Sequence, residues 1–238
     1  RQGWMSFVHL RVHSEYSVVD GTLRVDAAVQ AALRDGQGAL ALTDLSNLFA
    51  AVKFYTAARK AGIKPILGAD CWVELPGEAG PSRLLLLVQD QTGYLNLCEL
   101  LSQAWLQAEG RLPAVVPWAV LEARCAGLLA LSGAEQGAVG QALLTGDAGR
   151  AESLARRLAG LFEGRFHLEV QRAGLPGHDS LVRRTAALAS RLALPLVATH
   201  PVQFETPDDF EAHEARICVA DGETVSYTHL TLPTILRV

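Results

Sequence analysis

The sequence predicts an α/β protein built on a mostly parallel β-sheet. Short apolar runs of strand length recur along the chain, amphipathic patterns of helical length separate them, and 238 residues, half of them hydrophobic, can bury a sizeable core. Strands that alternate with helices need crossover connections, which place the strands parallel. Seven such units favour closure into a barrel, and a doubly wound open sheet is the alternative because the sequence gives no strand order.

Seven apolar runs have the length and composition of β-strands. Most of them are followed by a helical pattern, as expected for a sheet with crossover helices. In chain order they are SFVHLRV (6–12), GALALT (38–43), PILGADCWV (65–73), RLLLLV (83–88), GLLALS (127–132), RFHLEV (165–170) and PLVAT (195–199).

The helices are predicted from apolar residues spaced for one buried face. The first helix covers 25–34 and stops near Gly36, and Asn47 is expected to cap the next helix, which ends at Gly62. The segment 107–127 interrupts the alternation of strand and helix patterns and is interpreted as an excursion outside the sheet. Three further amphipathic helices are predicted at 95–106, 150–162 and 181–192.

Charge and cysteine usage exclude several classes of function. A net charge of -4 and a pI near 6.0 argue against tight DNA binding by this segment alone, because phosphate contacts need a basic surface. No run approaches the roughly 18 apolar residues of a membrane helix, so the sequence predicts a soluble, cytoplasmic protein without a membrane partner. Free thiols are predicted for four widely spaced cysteines, Cys71, Cys98, Cys125 and Cys218.

Candidate functional residues follow from the predicted strand ends. In parallel α/β folds the functional side chains collect just past the carboxyl ends of the strands. Those positions are rich in carboxylates but hold only two histidines, His13 and His200, whereas a multinuclear hydrolytic site needs several converging oxygen and imidazole ligands. The residues concerned are Arg11, His13, Asp20, Asp44, Leu45, Asp70, 132–134, Glu169 and 200–203.

Five phrases of the sequence carry a family resemblance. They are FVHLRVHSEYSVVDG (7–21), ALALTDLSNLFAAVKFYTAARKAGIKPILGAD (39–70), QDQTGYLNLCELLS (89–102), HLEVQRAGLP (167–176) and DDFEAHEARICVADG (208–222). Together and in this order they resemble the polymerase and histidinol phosphatase (PHP) domain that opens the alpha subunit of bacterial replicative DNA polymerase III. The resemblance implies a distorted seven-stranded (β/α)7 barrel with mostly parallel strands.

The resemblance also implies domain limits. The PHP domain is expected to cover 5–224, including a helix that starts near Pro207, ends just before Gly222 and leads toward the polymerase palm. Residues 1–4 are interpreted as upstream of the domain or added for expression, and 225–238 as a tail foreign to the family. The palm, fingers and later domains of the parent polymerase are expected to lie outside this sequence.

Working PHP sites hold metal ions through nine ligand positions, which the resemblance places on this sequence. His13, Asp20 and Asp70 keep a ligand type, the last as aspartate in place of glutamate. Asp44 and Glu169 also persist in the vestigial site. Six positions carry side chains that do not ligate, namely Arg11, Leu45, Arg83, Ala134, Pro201 and Gln203.

No metal is expected in this domain, because a guanidinium stays protonated and repels a cation. We hypothesise that Arg11 and Arg83 replace the lost ions by neutralising the carboxylates around them. These carboxylates are Asp20, Asp44, Asp70 and Glu169. Any metal that still bound would have to use His13, Asp20, Asp70, Glu169 and His200.

Structural roles are the alternative for several of these residues. His13 is expected to hydrogen bond a neighbouring strand or carboxylate, and Asp44 and Asn47 to organise the turn into the following helix. His178 and Asp179 are expected to form a solvated loop and the start of a helix.

The resemblance implies a fragment of the DNA-synthesising subunit of a replicative polymerase. The domain is expected to be a scaffold without a cofactor that docks the proofreading exonuclease subunit, while the parent polymerase contacts DNA and other replicase subunits and uses Mg²⁺ held in its palm. The alternative is an active metal-dependent phosphoesterase or 3′-5′ exonuclease that uses metal-bound water. A small-molecule phosphate substrate ranks last, because no glycine-rich phosphate cradle is present.

Overall fold

The computed structural model describes residues 7–172 and 177–221. These residues contain eight α-helices and seven strands, and four of the six strand pairings among them are parallel. The α/β class with a mostly parallel sheet is therefore confirmed. The described residues divide into two compact units, the second spanning Gly68–Thr199 and the first comprising the chain on either side of it.

The first unit holds one parallel strand pair and three helices. Strand β1 pairs in parallel with residues 64–67 of strand β2. Its core is an aliphatic cluster that includes the buried faces of α1 and α2, and Phe54 in α2 is fully buried. The elements concerned are α1 (Val25–Arg34), β1 (Ala39–Leu42), α2 (Ala51–Lys60), β2 (Lys64–Val73, which continues into the second unit) and α8 (Phe210–Asp221).

The bounds of α1 agree with the prediction, and Gly36 follows the helix with φ of +69°, a conformation that glycine adopts at little cost. The prediction for Asn47 is wrong, because Ala50 is the cap of α2 and no side chain bonds there. Asn47 Oδ1 instead accepts from the backbone N–H of Phe49 at 3.1 Å. Asn47 therefore organises the turn before the helix.

The predicted strand at 6–12 is not a strand in its described part. The carbonyls of His9 and Val12 accept hydrogen bonds from the backbone of Ala41 and Thr43, and Val12 forms a single parallel bridge with Val202. The N–H of Val12 donates to the Thr43 hydroxyl at 2.9 Å rather than to a carbonyl. The Thr43 hydroxyl thus accepts the hydrogen bond that a backbone carbonyl would accept in a continuous strand.

The second unit contains the remaining strands in the order β4-β2-β3-β5-β6-β7, with β3 antiparallel to both neighbours. Strand β3 is buried on both faces, which explains its unbroken aliphatic run. Besides part of β2, the second unit consists of β3 (Ser82–Val88), α3 (Gln91–Ala108), β4 (Val115–Val116), α4 (Trp118–Arg124), β5 (Leu128–Leu131), α5 (Ala138–Leu144), α6 (Ala148–Leu161), β6 (Phe166–Gln171), α7 (His178–Leu192) and β7 (Leu196–Thr199).

The segment 107–127 does not leave the sheet, which corrects the sequence interpretation. Strand β4 lies within it and pairs in parallel with β2, Val115 opposite Trp72 and Val116 opposite Val73. Two residues are too few for a periodic pattern, so the strand has no signature in the sequence.

The helix predicted to start near Pro207 and to end just before Gly222 begins with a single turn of 3-10 helix at Pro207–Asp209 and continues as α8. Among the described residues, no helix is both long enough and apolar enough to span a membrane. The stretches predicted to lie outside the domain, 1–4 and 225–238, fall outside the described residues.

Candidate functional site

In the first unit, His13 and Asp20 form one buried hydrogen-bonded group. His13 Nδ1 lies 2.9 Å from both carboxylate oxygens of Asp20. The Ser17 hydroxyl donates to Asp20 Oδ1 at 2.6 Å, and the Gln203 amide donates to Asp20 Oδ2 at 3.2 Å. The family resemblance implies a metal ligand at the position of Gln203, whose amide here hydrogen bonds the Asp20 carboxylate.

The loop that presents Asp20 is folded tightly on itself. The backbone N–H of Ser17 donates to the Ser14 carbonyl, and a Cβ placed on Gly21 would lie only 2.0 Å from that carbonyl oxygen. Glycine is therefore required at position 21 for the close approach of the two backbone segments.

Asp44 holds the backbone at the start of the same loop. Its carboxylate accepts from the Ser14 N–H at 2.5 Å and from the Ser14 hydroxyl at 2.9 Å. Burial raises the pKa of Asp44, and the Asp20 carboxylate adds a smaller contribution in the same direction. The next residue, Leu45, donates its N–H to Ser17 Oγ at 3.0 Å. Asp44 therefore holds the loop through Ser14, and the backbone of Leu45 holds it through the Ser17 side chain.

Helix α8 contacts the same loop, which the sequence reasoning missed. His213 Nε2 lies 3.0 Å from the Asp20 carbonyl oxygen, and burial lowers the pKa of His213. The Arg216 guanidinium donates to the carbonyls of Val18, at 2.8 Å, and of Gly21. The available signal was the spacing of His213 and Arg216, three residues apart on one face of a predicted helix.

The other predicted site residues of the first unit flank this group. Arg11 is only 5% exposed, and its carbonyl accepts from the Val202 N–H at 3.1 Å. Pro201 is half-buried. The ring of His200 lies 6.3 Å, between centroids, from the ring of buried His9.

In the second unit, Asp70 and Arg83 form a buried ion pair. Arg83 Nη2 lies 3.6 Å from Asp70 Oδ2, and the two side chains are 5% and 0% exposed. Arg83 Nε donates to Gln136 Oε1 at 3.2 Å, and the guanidinium lies 4.7 Å from the centroid of the Trp72 ring. The family resemblance implies a metal ligand at the position of this positive charge.

Glu169 is a second buried carboxylate of this unit, and neutral groups donate to it. The Gly133 N–H donates to Oε2 at 3.0 Å, while the Thr199 hydroxyl and the Gln171 amide both donate to Oε1. Ala134, next to Gly133, is buried and has φ of +46°. Its methyl group offers no lone pair at the position where the resemblance expects a cysteine ligand.

His178 starts α7 as predicted, but its side chain is buried and not in a solvated loop. Its Nε2 contacts the Glu135 carboxylate. The adjacent Asp179 is exposed and pairs with Arg172 at 2.8 Å. All four cysteines are free, as predicted.

Comparison with known families decides the assignment. The model of the PHP domain family matches residues 9–173. The chain belongs to the PHP domain family. The PHP fold predicted from the sequence is confirmed. An amidohydrolase from Chromobacterium violaceum, solved with bound sulfate and no metal, has a similar fold, with a TM-score of 0.55, 15% identity and coverage of 88% of this chain and 96% of that one.

Curated relatives of this PHP domain are alpha subunits of DNA polymerase III. The subunit from Pseudomonas aeruginosa is 44% identical over 222 residues, which cover 93% of this chain and 19% of that protein. The subunit from Escherichia coli K12 is 40% identical over 221 residues, with coverage of 92% and 19%. The chain thus spans about a fifth of the length of the curated relatives it matches.

The side chains of this PHP domain do not fit the metal cluster of a working PHP site. Asp20 and Glu169 already accept hydrogen bonds from neutral donors, and Asp70 faces a guanidinium. Within 7–172 and 177–221, no three histidine, cysteine, aspartate or glutamate side chains form a group that could hold a metal ion. Divalent cations need several convergent anionic or imidazole donors, which this arrangement does not supply.

Proposed function

We propose that this PHP domain is the N-terminal part of the DNA-synthesising subunit of a bacterial replicative DNA polymerase. The similarity over 222 residues to the alpha subunit of DNA polymerase III from Pseudomonas aeruginosa carries this proposal. The parent protein would be a cytoplasmic nucleotidyltransferase that extends DNA with Mg²⁺ held in its palm and assembles with other replicase subunits.

Within that polymerase the domain acts as a scaffold without hydrolytic turnover. The contacts of the retained carboxylates support this role. Arg83 places a permanent positive charge beside Asp70, and Gln203 donates a hydrogen bond to Asp20. Both side chains stand at former ligand positions, so the replacements stabilise the fold around the carboxylates where metal ions would otherwise balance their charge.

The partner of the scaffold is the proofreading exonuclease subunit. If this PHP domain does not hydrolyse phosphodiesters, 3′-5′ proofreading has to come from another domain or another polypeptide, and we assign it to a separate subunit. Mixing the 238-residue chain with the cognate exonuclease subunit, followed by size-exclusion chromatography with light scattering, tests this role. We expect an equimolar complex, and separate elution of the two proteins would contradict the docking role.

An active metal-dependent phosphoesterase or 3′-5′ exonuclease is the competing function. It requires His13, Asp20, Asp70, Glu169 and His200 to bind metal together. The ion pair of Asp70 with Arg83 weighs against it, because a divalent cation at Asp70 would have to displace or face a guanidinium. The two functions make opposite predictions for the metal content of the purified protein.

A further inference from the structure

We draw no further inference here: the strongest candidate, the groove of about 310 Å³ between α5, the start of α6 and α7 of the second unit, carries nothing because its two guanidinium groups already bond protein groups, Arg184 the Leu143 carbonyl and Arg191 the Glu152 carboxylate, and nothing in the structure shows what would occupy it.

Discussion

At the scale of single residues, side chains at positions where the family resemblance implies metal ligands are members of hydrogen-bonded groups. Arg83 is the clearest case, because one side chain neutralises Asp70, donates to Gln136 and stacks on Trp72. A lysine could not reproduce this arrangement, since only a planar guanidinium both stacks and donates in several directions. Arg83 therefore has a structural role that depends on the planar shape and the several donors of its guanidinium group.

Arg83→Leu should lower the free energy of unfolding by about 3–5 kcal/mol, because it removes the guanidinium that pairs with buried Asp70. Adding Asp70→Asn to that variant removes the carboxylate charge as well and should recover most of the loss. Urea denaturation at neutral pH of both single variants and the double variant measures this coupling. An Arg83→Leu chain as stable as the unsubstituted one would show that the ion pair has no structural role.

His9 gives a second test at this scale. Burial lowers the pKa of His9 from 6.5 to about 4, and neither ring nitrogen has a partner among the residues the structure describes. Because the folded pKa lies below the unfolded one, the stability linked to neutral His9 is complete above pH 6.5 and is lost as the pH falls through about 4.

His9→Phe should therefore lose less stability than the unsubstituted chain between pH 6.5 and 4, a window that follows from the shifted pKa. Phenylalanine can keep the edge contact with Phe7, whose ring centroid is 5.0 Å from that of His9, and it buries no unpaired nitrogen. Chemical denaturation across this pH range is the measurement. Parallel stability curves for the two proteins would show that His9 does not titrate differently on folding.

At the scale of elements, α8 and the loop at 15–21 behave as one piece of structure. Arg216 donates to the carbonyls of Val18 and Gly21 and His213 contacts that of Asp20, so α8 satisfies backbone groups of the tight loop. The helix that the family resemblance places next to the polymerase palm thus also shapes the loop that carries Asp20.

Arg216→Lys should speed hydrogen exchange at residues 15–21, because an ammonium group cannot donate to several carbonyls at once in the geometry of a guanidinium. Hydrogen exchange measured by mass spectrometry reports the change peptide by peptide. Arg157→Lys is the control, since Arg157 donates to the Pro76 carbonyl in the second unit. Unchanged exchange at 15–21 in Arg216→Lys would refute the coupling of α8 to the loop.

Elements with a strong period were predictable from the sequence, whereas short or irregular ones were not. The spacing of apolar residues predicted both ends of α1. It could not predict β4, which has only two residues, or the irregular segment at 7–12, which pairs partly through a side chain. The residues of the site followed from the family resemblance. The hydrogen-bond partners of these residues could not be predicted. Thr199 and Gln136 are far away in sequence and meet Glu169 and Arg83 only in the folded unit.

At the scale of the whole molecule, the domain combines a retained fold with altered site chemistry. The family match covers residues 9–173, and the relatives are polymerase subunits about five times as long as this chain. A fold can outlast its original activity, because function depends on particular side chains whereas the fold depends on the buried core. The proposed scaffold role is consistent with this separation.

The metal content of the purified chain, measured together with phosphodiesterase activity, tests the central claim most directly. Protein prepared without chelator would be analysed for zinc and manganese by mass spectrometry and assayed on bis(p-nitrophenyl) phosphate with either metal added. Because Arg83 pairs with Asp70 and Gln203 donates to Asp20, we expect far less than one metal ion per chain and no hydrolysis. Near-stoichiometric metal, with hydrolysis that a chelator abolishes, would contradict the account.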